Sequence, residues 1–284
     1  MQKQTNDKLI LKKLLEANEF QKNGNTSEAE KKYLEILEEN ENHPDANHNF
    51  SVLLIEQNRI DEARKYIEKI IATNYPLSQY FITASKFFDI TKDYKKAIEF
   101  VDKAILHSSQ EEAFKPFYLK GTILLKIGKD DEAFNLFAKC YELQPNNITI
   151  LNTYGVALSK KGDYLESIEI FNKIIEINAK FFDAHVNLGL AYQKIYKYSM
   201  ALQCYNKALQ INPDHYMLHI NIGALYQSLR NSEKALENYN KAKEIKPDDP
   251  EVYNNIAIIY GESGDRDNAY KYYKKALDLK PFNP

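Results

Sequence analysis

One spacing recurs along nearly the whole 284-residue chain and restricts its fold more than any other feature: 34 residues separate successive small side chains. Ala29, Ala63 and Ala97 keep this interval; after a slip of two residues it resumes at Ala133, Ser167, Ala201, Ala235 and Ala269. Twelve residues before each stands a second small residue: Ala17, Ser51, Ser85, Gly121, Gly155, Gly189, Gly223 and Ala257. Four residues after each comes a larger apolar one: Tyr33, Ile67, Val101, Phe137, Phe171, Tyr205, Tyr239 and Tyr273. Twelve residues past four of them lies a proline, Pro145, Pro213, Pro247 or Pro281. A period of this length marks stacked supersecondary units, each with an apolar face that only its neighbours can cover.

The interior of one period reads as two helices. Leu151–Lys160 carries apolar residues at helical spacing, and Gly162-Asp163 interrupts it. Glycine suits the left-handed residue that follows a helix, and aspartate caps the next one. Tyr164–Ile177 is again helical in period. The small residues of the two helices are expected to face each other and let them pack closely. Proline then ends the second helix or opens the next first helix, because it has no N–H to donate.

These residues resemble the tetratricopeptide repeat, and the resemblance runs over roughly residues 10 to 283. It implies an all-α, right-handed superhelical solenoid of about eight helix–turn–helix units. The expected units are 10–43, 44–77, 78–111, 114–147, 148–181, 182–215, 216–249 and 250–283, after an N-terminal tail at 1–9. The two-residue insertion, placed at 112–113 within Gln110–Ala113, reads either as a bend between two stacks or as a plain longer loop. Glu41, Tyr75 and Ser109 replace the closing proline in the first three units, and Ala179 replaces it in the fifth.

Charge narrows the partners. Against 38 Lys and Arg stand 40 Asp and Glu, a formal net charge of −2. Nucleic-acid binders show a basic excess, so none is expected as a partner. Nor is docking on anionic lipid. No segment approaches the roughly 18 apolar residues of a membrane helix, and Met1–Leu9 lacks the apolar run of a secretory signal. Cys140 and Cys204 are too few for a disulfide framework and suit a reducing compartment, so a cytoplasmic location is expected.

The chemistry of catalysis is missing from the pattern. The nine glycines fall mostly at repeat positions, leaving no phosphate-binding loop, and no zincin helix appears. His215 and His219 have the i,i+4 spacing of metal ligands but no third ligand, and His219 shares core position four with His185. Cys140 occupies a small core position and reads as a buried thiol. No cofactor, metal or catalytic residue is expected.

The resemblance implies that ligands lie in a concave groove lined by positions two, five, six, nine, twelve and thirteen of each first helix. Position six carries Asn49, Thr153, Asn187, Asn221 and Asn255, the last three spaced by 34. An amide donates and accepts, so a row of them can hold the backbone of an extended peptide irrespective of its side chains. This is similar to the asparagine ladder in the repeat arm of O-linked N-acetylglucosamine transferase. Val186, Leu190, Ile220, Ala224 and Ile258 would supply side-chain pockets beside it. The family's carboxylate clamp for chaperone tails fits poorly. Asn18 and Asn49 match two of its elements, but Leu14, Gln79 and Thr83 stand where cations are needed.

The expected function is thus a non-catalytic scaffold that binds extended peptide segments of other proteins. The alternative is the recognition arm of a larger glycosyltransferase-like enzyme. The last helix, Asn268 to Leu279, carries Tyr270, Tyr272, Tyr273, Ala276 and Leu277 without the polar-faced closing helix usual in the family. Its apolar edge is therefore expected to be uncovered and available for self-association.

Overall fold

The computed structural model describes residues 2–72 and 77–280; Tyr75 and Pro281, two positions of the repeat pattern, lie outside them. The described residues form sixteen α-helices and no strand. They pair as α1 (Gln2–Lys22) with α2 (Thr26–Glu39), α3 (Pro44–Glu56) with α4 (Ile60–Ile71), and α5 (Ser78–Ile90) with α6 (Tyr94–Leu106). Next come α7 (Phe114–Lys126) with α8 (Asp130–Leu143), and α9 (Ile148–Lys161) with α10 (Tyr164–Ile177). Then follow α11 (Phe182–Lys194) with α12 (Tyr198–Ile211), α13 (Tyr216–Ser228) with α14 (Ser232–Ile245), and α15 (Pro250–Glu262) with α16 (Arg266–Leu279). None of these helices is long and apolar enough to cross a membrane.

The helices gather into two compact bodies, Met1–Gln144 and Pro145–Pro284. In each, a helix packs on the next in sequence. First helices also touch the first helices of neighbouring units: α1 with α3, α3 with α5 and α5 with α7 in one body, α9 with α11 and α11 with α13 in the other. The insertion at residues 110–113 is a turn inside the first body, and α6 packs on α7 across it. Residues 2–9, expected as a tail, are instead the opening turns of α1. No glycine or proline interrupts Gln2–Lys22, so nothing stops the helix short.

Every unit turns between its helices through a left-handed residue at position fifteen. Four of these are glycines, Gly24, Gly128, Gly162 and Gly264; the others are Asn58, Lys92, Tyr196 and Arg230, with φ between 58° and 62°. The left-handed conformation costs an L-residue about 1–2 kcal/mol, because Cβ crowds the following carbonyl. Glycine escapes that cost but loses more chain entropy on folding. The strain outweighs the entropy at Lys92 and Arg230, whose side chains are exposed. Lys92→Gly and Arg230→Gly should each stabilise the protein, by up to about 1 kcal/mol. Urea unfolding checks this, and a lowered midpoint would contradict it.

The packing inside a unit differs in detail from the sequence expectation. The glycine of the first helix faces the ring four residues beyond the small residue of the second helix. A Cβ built on Gly189 would lie 2.3 Å from Tyr205 Cε1, and one on Gly223 2.6 Å from Tyr239 Cε1. In the third unit the two small residues do meet, Ser85 Oγ donating to the Ala97 carbonyl at 2.8 Å, and in the fifth Ser167 Oγ lies 2.8 Å from Ser159 Oγ. Aromatic rings therefore fill the space that small side chains leave. Tyr33, Phe137, Phe171, Tyr205 and Tyr239 are all fully buried. Tyr273, at the same register position, is 40% exposed, and Tyr270 and Leu277 beside it on α16 are exposed as well.

Candidate functional site

The position-six residues sit on the row where first helices of adjacent units meet. Asn49 is half-buried and already engaged: its Nδ2 donates to Asn18 Oδ1 at 2.8 Å, and its Oδ1 lies 2.9 Å from His48 Nδ1. His48 Nε2 is in turn 2.9 Å from Thr83 Oγ1. Burial, opposed in part by the hydrogen bond to Asn49, pushes the His48 pKa down. Asn18 and Asn49, the two matches to the carboxylate clamp, thus satisfy each other, and Leu14 is buried.

In the second body the row is more open. Asn187 Nδ2 donates to Asn152 Oδ1 at 3.2 Å. Among the described residues neither Asn221 nor Asn255 has a hydrogen-bond partner, and both are half-exposed. Thr153 Oγ1 turns back to the Thr149 carbonyl at 3.0 Å, an i−4 bond within its own helix.

Two clefts open beside these amides. One, of about 230 Å³, is lined by Asn187, Leu190 and Lys194 of α11, Val156 and Lys160 of α9, and Tyr164 of α10. The other, of about 380 Å³, is lined by Asn221 and Ala224 of α13 together with Leu190, Lys194, Tyr196 and Tyr198. Leu190 and Lys194 line both. Val186, Ile258 and Asn255 are half-exposed but line neither cleft. Ile220, expected as a pocket wall, is 4% exposed and packs in the core with Tyr239 and Ile256. Position five of this unit turns inward, which the helical spacing alone could not distinguish.

The remaining reactive groups are tied into the fold. His185 Nε2 lies 2.9 Å from the Ala179 carbonyl and His219 Nε2 3.0 Å from the Pro213 carbonyl, each six residues upstream. His215 caps α13 by accepting from the Leu218 N–H at 3.3 Å, so it and His219 serve different partners. Burial pushes the Cys140 thiol up to about 12 and the Cys204 thiol up to about 11, away from the thiolate needed for nucleophilic chemistry.

Sequence reasoning missed one set of contacts on this row. Position twelve accepts a hydrogen bond from the buried tyrosine of its own unit: Tyr33 Oη to Gln21 at 2.8 Å, Tyr205 to Gln193 at 3.0 Å and Tyr239 to Gln227 at 3.2 Å. The same side chain reaches position thirteen of the next unit, as Gln21 does to Glu56 and Gln227 to Glu262. The available signal was a twelve-residue pairing of Gln with Tyr.

Tetratricopeptide repeat models match residues 20–80, 114–147, 148–181, 182–215 and 214–281, most of the chain. A TPR repeat-containing protein of Methanocaldococcus jannaschii is 24% identical over 140 residues, or 46% of this chain; the match spans 24% of that relative's length. The crystal structure of YrrB, described as a TPR protein with an unusual peptide-binding site, is similar at a TM-score of 0.55 and 26% identity. It covers 66% of this chain and 94% of YrrB. The C-terminal part of a TPR repeat-containing protein from Cytophaga hutchinsonii gives a TM-score of 0.63 at 20% identity, over 83% of this chain and 96% of that one.

Proposed function

The chain belongs to the tetratricopeptide repeat family, and from that premise we propose that it is a non-catalytic scaffold that holds an extended segment of a partner protein along its first helices. The observation that carries this reading is the placement of Asn187 and Asn221 on two neighbouring clefts that share Leu190. An amide beside each cleft offers backbone hydrogen bonds, and the clefts offer room for side chains. Similarity to YrrB, a repeat protein with a peptide-binding site, supports it.

Each backbone hydrogen bond contributes about 0.5–1.5 kcal/mol net, so losing three amides should weaken binding by about tenfold or more. The test begins with a random-peptide display selection on the wild-type chain. Labelled copies of the selected peptides are then titrated against wild type and against Asn187→Ala, Asn221→Ala, Asn255→Ala combined, with circular dichroism to show that the variant is folded. Equal affinity for the two proteins would sink the reading.

A further inference from the structure

At position thirteen, charged side chains on the first helices are commonly held by position twelve of the unit before. Glu56 accepts from Gln21 at 3.0 Å, Glu262 accepts from Gln227 at 3.1 Å, and Lys126 donates to Asp89 at 2.7 Å. The arrangement breaks at two consecutive units. Position twelve before Lys194 is Ser159, whose hydroxyl is engaged with Ser167 at 2.8 Å. Lys160 stands on α9, the first helix of the second body, and among the described residues no acidic side chain pairs with it.

Lys160 and Lys194 are consequently left over. Both side chains are exposed, and among the described residues neither has an ion-pair partner. Both line the same cleft of about 230 Å³, whose walls, Val156, Tyr164, Leu190 and Ala191, are mainly apolar. An apolar recess with two unmatched ammonium groups on it complements one kind of side-chain sequence.

We propose that the segment bound along α9, α11 and α13 is acidic: a bulky apolar residue enters the Val156–Leu190 cleft, and carboxylates flanking it meet Lys160 and Lys194. This rests on the peptide-binding function above and adds the chemistry of the ligand. Exposed ion pairs are individually weak and screened by salt, so the lysines act chiefly by choosing the partner, while burial of the apolar residue supplies affinity.

The experiment repeats the display selection on wild type and on Lys160→Glu, Lys194→Glu combined. Because both lysines are exposed and unpaired, this variant keeps the fold, which circular dichroism verifies. Wild type should enrich peptides with Asp or Glu on both sides of Leu, Ile, Met or Phe. The probes for titration are one such labelled peptide and its copy with every acid replaced by lysine. Charge reversal should weaken the acidic probe by about tenfold, less at high salt, and strengthen the basic probe. Enrichment without acidic residues overturns the inference. So does unchanged affinity after charge reversal while the triple asparagine variant still weakens binding, and the peptide-binding reading then stands. If neither variant weakens binding, or no peptide is enriched, both fall.

Discussion

Gly189→Ala is expected to destabilise the second body by about 1–3 kcal/mol, the range for inserting a methyl group into a filled core. Two effects oppose each other. Alanine is the better helix former by about 1 kcal/mol. Against it, the added Cβ would sit 2.3 Å from Tyr205 Cε1. Tyr205 is fully buried and its hydroxyl is held by Gln193 at 3.0 Å, so the ring has nowhere to go. Only separation of α11 from α12 relieves the overlap, and that opens the core contacts around it. By register, unit one places Ala17 opposite Tyr33, so a methyl and a tyrosine can coexist where two helices are set for both. The cost at Gly189 is that of resetting a pair built around a hydrogen atom. In a Tyr205→Leu background the same substitution should become neutral or favourable. Urea midpoints with hydrogen exchange across α11 and α12 would report it, since repeat arrays unfold in pieces. No shift in the Tyr205 background would mean that the two helices slide freely.

The small-residue positions were legible because they repeat, but the partner of each was not. Spacing shows that Gly189 must be small; it does not show whether a ring or another small residue requires it. The helix–turn–helix period was equally plain, yet at position fifteen only four of the eight left-handed residues are glycine. Lys92, Tyr196 and Arg230 adopt the turn against their own preference, because the packing of the flanking helices imposes it. On the candidate row, position six could be read as a column of amides. Its division into Asn49, engaged by Asn18 at position nine, and Asn221 and Asn255, whose side chains have no hydrogen-bond partner among the described residues, depends on which neighbour each amide reaches. That is set by the offset between adjacent first helices, which brings residues 35 apart together, as in Asn152 with Asn187 and His48 with Thr83. A period of 34 in the sequence becomes contact intervals of 35 and, for Asn18 with Asn49, 31 in space, one helical turn apart, and only the structure shows which is used.

Removing the Tyr239 ring should cost the most of any change considered, because it empties the space over Gly223. Tyr239→Ala is expected to lose about 3–5 kcal/mol, as large aromatic truncations do. Tyr239→Phe keeps the ring and removes only the hydroxyl bond to Gln227, a loss of about 1 kcal/mol. The other units provide the control. Phe137 and Phe171 occupy this register position where position twelve is Leu125 or Ser159, neither of which is held by a tyrosine hydroxyl. Tyr239→Phe combined with Gln227→Leu should therefore cost less than the two single changes added together, a coupling that a double-mutant cycle measures. Titration separates the same group from its neighbours. Burial, reinforced by Glu262 and Glu251, pushes the Tyr239 phenol up to about 12. A raised folded-state pKa means that the unfolded chain releases this proton first, at its ordinary pKa of about 10. The stabilisation is complete below that pH and declines as pH rises toward 12. Tyr239→Phe should shrink this alkaline loss of stability; an unchanged alkaline limb would place the hydroxyl outside the network that joins α13, α14 and α15.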